Sequence, residues 1–174
     1  MSKTKKFWGV KNTILGGDVQ KKLENLSEIT FTFLDEKPIE GQYSCFKIYI
    51  GSKFYIAKTK TCLWLPTHLN RLIKQYNISG INPNDIYFPI VKQIHNTGYY
   101  ECLIEFICQS DDPYDVVKAE FLALQENKEN KKCINRNDKP YIPKYNSKTK
   151  MFGWLTQNQF LNYCKVLKKH NIVV

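Results

Sequence analysis

The sequence lacks several features that mark common classes of protein. Its six cysteines include no C-x-x-C pair, so neither a zinc site nor a disulfide framework is indicated. No apolar run approaches the roughly 20 residues of a membrane-spanning helix, and the opening MSKTKKFWG has no apolar signal-peptide segment. We therefore expect an intracellular, cytoplasmic protein with reduced, mostly buried thiols and no membrane partner.

Acidic residues are scarce relative to basic ones. The 174 residues include 26 lysines and arginines against 16 aspartates and glutamates, which gives a formal charge of +10. This balance favours an anionic partner, with nucleic acid the first candidate and a membrane surface the second. The simpler interpretation is a basic surface that only keeps the protein soluble.

The composition fits one domain with a proper core. Hydrophobic residues make up 43% of the chain and aromatic residues 14%, enough for one core and a small appendage but not for two full domains. We divide the chain into an N-terminal arm with a short helix and strand (1–40), a central domain (41–137) and a basic, aromatic C-terminal extension (138–174).

Hydrophobic periodicity and turn residues predict the order of the elements. The pattern predicts a basic arm (1–12), a helix (18–26), a strand (29–34), a hairpin (43–50 and 54–58), a helix from Pro66 to about 77, a helix capped by Asn84 or Asp85 through 94, a strand (99–108), a helix (114–127) with Asp115 at its start, and a helix (156–169). This order predicts an α+β fold with a small, mostly antiparallel sheet.

The predicted hairpin contains three tyrosine triplets, Gly41-Gln42-Tyr43, Tyr49-Ile50-Gly51 and Tyr55-Ile56-Ala57. The first and third are followed by an arginine in a helix, a glutamate in a later helix and an asparagine. In this order the residues Tyr43, Tyr55, Arg71, Glu120 and Asn135 resemble the GIY-YIG nuclease family, and the resemblance covers roughly residues 41–137.

The resemblance implies a fold and an activity. Members of this family have a three-stranded antiparallel sheet flanked by helices, and they hydrolyse DNA phosphodiesters with one divalent metal. By the same resemblance, Glu120 would bind Mg²⁺ or Mn²⁺, Tyr43, Tyr55 and Arg71 would surround the scissile phosphate, and Asn135 would close the site.

The chemistry of phosphodiester attack suits these residue types. The planar guanidinium of Arg71 can bind two phosphate oxygens, and the carboxylate of Glu120 is a hard ligand for Mg²⁺. A tyrosine hydroxyl beside the attacking water can orient or deprotonate it, and we assign that role first to Tyr43, shared with Tyr55.

The length of the hairpin turn decides whether the two tyrosines meet, because side chains alternate between faces along a strand. A two-residue turn at Gly51-Ser52 pairs Tyr55 with Ile48 and places Tyr43 on the opposite face. Phe46, which has no hydroxyl, then occupies the first tyrosine's face.

A three-residue loop, or a bulge, pairs Tyr55 with Tyr49 instead and returns Tyr43 and Tyr55 to one face. The sequence leaves both hairpins open. Tyr49-Ile50-Gly51, although it is the literal match, lies at the turn and is not assigned to the site.

Lysines and aromatic residues are candidates for binding DNA. We assign phosphate contacts to a set of five lysines, with aromatic residues of the C-terminal extension available for stacking on bases. The set is Lys58, Lys60, Lys144, Lys148 and Lys150. The alternative is that the extension only packs against the sheet.

Two departures from the family pattern favour other functions. Ala57 replaces a glycine, and Gln75 stands where many members carry a histidine or tyrosine one turn after the arginine; His68 is the candidate substitute.

We predict a metal-dependent DNA endonuclease of phage or mobile-element type, of unknown oligomeric state, for which a transient dimer would allow double-strand cutting. The alternatives are a non-catalytic nucleic-acid-binding or virion protein with a degenerate nuclease fold, and an unrelated basic binding module.

Overall fold

The computed structural model describes residues 28–60, 65–136 and 140–174. The predicted basic arm and the predicted helix at 18–26 lie outside these ranges. The described elements are, in chain order, β1 (Thr30–Phe33), β2 (Tyr43–Ile50), β3 (Lys53–Thr59), α1 (Leu65–Ser79), α2 (Phe88–Thr97), β4 (Glu101–Ser110), α3 (Pro113–Glu126), β5 (Tyr145–Asn146), β6 (Met151–Phe152) and α4 (Gln157–Lys169). The predicted α+β class is confirmed. Across the described ranges no helix has both the length and the apolar character needed to cross a membrane.

The main sheet of the described residues has four strands rather than the predicted three. Its order is β1-β4-β2-β3, with β2 antiparallel to both neighbours and β1 parallel to β4. The additional strand is the Thr30–Phe33 segment, which the sequence assigned to the N-terminal arm. It joins the sheet because its phenylalanines alternate with threonines, so that Phe31 and Phe33 face the core while Thr30 and Thr32 stay exposed.

The β2–β3 hairpin has the two-residue turn. Gly51 has a φ of +61°, which glycine adopts without strain. The ring of Tyr99 covers this turn so closely that a Cβ added at Gly51 would lie 3.0 Å from the ring. Tyr55 accordingly pairs with Ile48, the first of the two registers open from the sequence.

Helices cover both faces of the main sheet. On one face α1 and α2 pack against β2 and β3, through residues such as Phe46, Ile48, Leu69 and Ile90. On the other face α3 packs through Val116 and Ala123 against Cys45, Phe54 and Ile56. The last helix, α4, lies on the outside of α3, where Tyr163 and Leu167 contact Val117 and Phe121.

Helix α2 begins later than the sequence predicted. Asp85 does not cap the helix; its side chain accepts a hydrogen bond of 2.8 Å from the amide of Tyr87, and α2 starts at Phe88. Pro89 lies in the first turn of the helix, where backbone N–H groups have no intrahelical acceptor, so that the missing N–H of proline costs no hydrogen bond. The short turn that carries Asp85 and Tyr87 is thereby held against the start of α2.

Local capping sets the starts of the last two helices. Asp112 caps α3 by accepting from the amide of Tyr114 at 2.9 Å, and Asp115 lies in the first turn, at the helix start where the sequence places it. Thr156 and Gln159 form a reciprocal capping box at the start of α4. The β5–β6 hairpin between these helices is a further element that the sequence pattern did not predict.

Of the five described cysteines only Cys45 and Cys102 are fully buried, so the prediction that most are buried is wrong.

Candidate functional site

Tyr43 and Tyr55 lie on opposite faces of the sheet. The ring of Tyr43 packs on the α3 face, with its centroid 5.3 Å from that of Trp154. Tyr55 packs on the face that α1 and α2 cover. On that face Phe46 pairs with Ala57, at the place the first tyrosine would need to occupy. The expected pair of site tyrosines is therefore not formed by Tyr43 and Tyr55.

Tyr55 is a hydrogen-bond donor in this structure. Its hydroxyl donates to the carbonyl oxygen of Ile86 at 2.8 Å. Burial, followed by the negative charge of Glu120, raises the pKa of Tyr55 above its ordinary value. The phenol therefore stays protonated at neutral pH, which suits it to orient an oxygen atom and not to remove a proton.

His68 lies in α1, buried next to Tyr87. The two rings meet edge to face with centroids 5.1 Å apart. Burial lowers the pKa of His68, the charge of Asp85 opposes this effect, and the charge of Arg71 adds to it. The imidazole is consequently neutral at neutral pH and can accept a proton.

Tyr87 is a member of the site that the sequence did not indicate. Burial, and then the charges of Asp85 and Glu120, raise the pKa of Tyr87. The position of the Tyr87 ring depends on the turn before α2 and on contact with His68, which lies 19 positions earlier in the chain. The one local signal was the Asn-Asp run before it, which we interpreted as a helix cap.

Arg71 and Gln75 follow His68 along α1 at helical spacing. Arg71 is exposed, as a residue that receives a phosphate from solution should be. The side-chain oxygen of Gln75 is buried, and it has no hydrogen-bond partner within the described part of the chain. This helix therefore presents an exposed cation and, among the described residues, a side-chain oxygen without a hydrogen-bond partner about one turn apart.

Glu120 is paired with Lys58. The Nζ atom of Lys58 lies 2.7 Å from Oε2 of Glu120, and each side chain is 14% exposed. The same Nζ lies 3.7 Å from the ring centroid of Tyr141 and 5.6 Å from that of Trp154. The prediction that Lys58 binds nucleic acid therefore needs correction, because its charge is compensated and covered by aromatic rings.

The charge of Glu120 also reaches the opposite face of the sheet. It contributes to the raised pKa values of both Tyr55 and Tyr87. Tyr55 and Tyr87 pack on the face that α1 and α2 cover, with His68 in ring contact with Tyr87. Glu120 comes from α3 and pairs with Lys58 beside Tyr141 and Trp154. Trp154 also packs on Tyr43, so Tyr43 and the ion pair share a neighbour.

Glu120 is the only carboxylate that we assign to a metal. No three histidine, cysteine, aspartate or glutamate side chains come together to form a metal-binding group in the described ranges. One carboxylate suffices for Mg²⁺, which commonly keeps several waters and takes further oxygens from a substrate phosphate. The donor therefore fits Mg²⁺ or Mn²⁺, provided that Lys58 moves away from it.

Asn135 seals the free edge of β3. Its Oδ1 accepts from the amide of Ile56 at 2.7 Å, and its Nδ2 donates to the carbonyl of the same residue at 2.8 Å. The neighbouring backbone continues the pairing, since Phe54 donates to Lys132 at 2.9 Å and accepts from Ile134 at 2.9 Å. Asn135 thus holds the strand that carries Tyr55 and Lys58.

We expect Asn135→Asp to destabilise the fold by about 1–3 kcal/mol, because a carboxylate cannot donate to the Ile56 carbonyl and would leave it unpaired. Urea denaturation measures the change. Asn158→Asp, at an exposed position of α4, is the control and should shift stability by only a few tenths of a kcal/mol. Equal effects of the two substitutions would contradict the assignment.

The other lysines predicted to bind DNA are exposed. Lys60 follows β3, and Lys144, Lys148 and Lys150 surround the β5–β6 hairpin. Exposure leaves their ammonium groups available to phosphates, in contrast to that of Lys58.

Comparisons with known protein families, with curated proteins and with solved structures find no match for this chain. The fold and the ring contacts define an α+β protein with a mixed sheet and with Tyr55, His68 and Tyr87 packed on the face that α1 and α2 cover. The resemblance to GIY-YIG nucleases therefore depends on the residues of this chain alone.

Proposed function

We propose that this chain is a metal-dependent DNA endonuclease of the GIY-YIG type. The observation that carries the proposal is the group formed by Tyr55, His68 and Tyr87 on the α1–α2 face of the sheet, with the exposed Arg71 three positions after His68. Together with the carboxylate of Glu120, these rings and this cation are the residue types that phosphodiester hydrolysis needs.

Each side chain has a role that its surroundings support. Arg71 binds the scissile phosphate, Tyr87 donates a hydrogen bond to one of its oxygens or to the attacking water, and neutral His68 accepts the proton of that water. Tyr55, whose one hydroxyl proton is donated to the Ile86 carbonyl, presents its hydroxyl oxygen as an acceptor that orients the water. Glu120 would bind Mg²⁺ or Mn²⁺, which supplies positive charge to offset the charge developing on the phosphate.

The test is incubation of the chain with supercoiled plasmid. We expect nicked circles with Mg²⁺ or Mn²⁺ and intact supercoiled plasmid with EDTA. One site cuts one strand, so linear product should appear only after nicked circles or at concentrations that favour dimers. Plasmid that stays supercoiled with every divalent metal would count against catalysis.

A non-catalytic nucleic-acid-binding protein, or a virion component, is the second candidate. Two observations favour it: Phe46 brings no hydroxyl to the position of the first tyrosine, and Lys58 already neutralises Glu120 at 2.7 Å. Binding to DNA without cleavage in the plasmid assay would support this second candidate over the first.

Both candidates predict DNA binding that weakens steeply with salt. If Lys60, Lys144, Lys148 and Lys150 each contact one phosphate, counterion release gives a log–log slope of about −3.6, and raising salt from about 50 to 200 mM should weaken duplex binding by about 100-fold. Fluorescence anisotropy in EDTA measures this dependence. An affinity that hardly changes would show that the net charge of the chain is incidental.

A further inference from the structure

Three aromatic rings form a column that ends at the protein surface. The rings of Phe152 and Phe160 are stacked, with centroids 4.0 Å apart and planes 2° from parallel. Tyr145 packs on Phe152 from the neighbouring strand, with centroids 5.1 Å apart and the ring planes tilted by 52°. Tyr145 is nevertheless 54% exposed. The column therefore presents one supported ring to solvent.

The hairpin that carries this ring is held in one conformation. The side chain of Asn146 accepts from the amide of Lys148 at 2.9 Å, and its backbone carbonyl accepts from the amide of Lys150 at 2.8 Å. Lys150 completes the turn with a φ of +59°. Because these bonds fix the backbone of the turn, the positions from which Tyr145 and the neighbouring lysines project keep a defined spacing.

The side chains of the C-terminal segment that carries the ring have charge of one sign. Residues 140–174, all of them described, contain no aspartate and no glutamate. They contain six lysines, namely Lys144, Lys148, Lys150, Lys165, Lys168 and Lys169. Lys144, Lys148 and Lys150 lie within five positions of Tyr145 and are exposed. An anionic ligand that reaches the ring therefore meets no opposing charge from this part of the chain.

The hairpin also adjoins the candidate site. Trp154, two positions after Phe152, packs on Tyr43 and lies over Lys58. Tyr141, four positions before Tyr145, lies over the same ammonium group. A ligand bound along the hairpin is thus directed toward the side of the sheet where Lys58 meets Glu120.

We infer that the β5–β6 hairpin binds single-stranded nucleic acid by stacking an unpaired base on Tyr145, with phosphates bound by Lys144, Lys148 and Lys150. A duplex already stacks its bases on one another, so a surface ring can add a stacking partner only to a base that is unpaired. The inference depends on the proposed function in taking nucleic acid as the ligand, and it names the unpaired strand as the preferred substrate. It does not require cleavage.

The experiment compares a labelled single strand of about 12 nucleotides, a length within the range of small stacking sites, with a duplex of the same sequence. Fluorescence anisotropy in EDTA gives both affinities. We expect Tyr145→Leu to weaken single-strand binding by about 10-fold and duplex binding by less than about twofold, as the loss of one stacked base predicts. Tyr145→Phe keeps the ring and should bind the single strand as the parent does.

Tyr99→Leu is the matched control, since Tyr99 is 56% exposed but lies beside Gly51, at the β2–β3 turn. Circular dichroism checks that each variant is folded. Single-strand affinity unchanged in Tyr145→Leu, or lowered equally by the Tyr99 control, would overturn the inference. A parent that binds duplex but not single strand would overturn this inference alone, whereas a parent that binds neither would overturn the proposed function with it.

Discussion

Glu120→Gln is expected to reduce metal-dependent plasmid nicking by at least about 100-fold while leaving the chain folded. Glutamine keeps the size of the side chain and an acceptor oxygen for Lys58, but it removes the negative charge that a hard divalent cation requires. Glutamine also propagates a helix about as well as glutamate. Initial nicking rates with Mg²⁺ and with Mn²⁺ measure the effect.

The matched control is Glu126→Gln, which removes one charge from the exposed end of the same helix. It should cut at the parental rate. DNA binding by Glu120→Gln should be retained or slightly stronger, because one negative charge is lost near a phosphate-binding surface. Nicking by Glu120→Gln at the parental rate would remove Glu120 from the metal site even if the chain is a nuclease.

Elements whose limits depend on neighbouring residues could be predicted closely from the sequence. Helix α4 begins and ends within one residue of its predicted limits, because the capping box of Thr156 and Gln159 lies within four residues of chain. The predicted strands of the hairpin are correct for the same reason, since Gly51 and alternating side chains are local signals. Local signals predict that an element forms, but they do not always predict where it begins. In α2, the hydrogen bond from the Tyr87 amide to Asp85 is equally local, but it forms a turn before the helix instead of capping it.

Pairing between distant segments could not be predicted in the same way. The alternation in Thr30–Phe33 shows a strand, but nothing in it identifies β4, about 70 positions later, as its parallel neighbour. The register of Tyr55 depended on a turn of two or three residues, and both lengths suit the residues after Ile50. The fourth strand and the separation of Tyr43 from Tyr55 are therefore results of tertiary structure.

The candidate site shows the same division. Glu120 lies among apolar residues of α3, where a glutamate needs a partner, and the structure supplies one. That partner is Lys58, 62 positions earlier, which we had assigned to DNA from its charge alone. Charge in a sequence does not reveal whether an ammonium group faces solvent or a carboxylate, and Tyr87 was missed because its role depends on contact with His68.

The pair formed by Lys58 and Glu120 predicts a large energetic coupling. Lys58→Met keeps an unbranched apolar side chain but leaves a mostly buried carboxylate without its cation, and we expect it to lower the free energy of unfolding by about 3 kcal/mol in EDTA. Combining it with Glu120→Gln removes both charges. The double variant should then be more stable than the sum of the single effects predicts, by about 1–3 kcal/mol.

Urea denaturation of the four proteins in this cycle measures the coupling, and the pair formed by Lys47 and Glu105 provides the control. Those two groups are 3.8 Å apart and more exposed, at 26% and 38%, so the equivalent cycle with Lys47→Met and Glu105→Gln should give a coupling below about 1 kcal/mol. Strictly additive effects at Lys58 and Glu120 would mean that the ion pair does not restrain the carboxylate. If the coupling is found, Mn²⁺ should stabilise Lys58→Met more than the parent. A cation that binds only the folded state adds to the stability of that state. In Lys58→Met the Mn²⁺ ion no longer competes with the lysine for the Glu120 carboxylate. Equal stabilisation of the two proteins by Mn²⁺ would show that the metal binds elsewhere, and that Lys58 does not control access to Glu120.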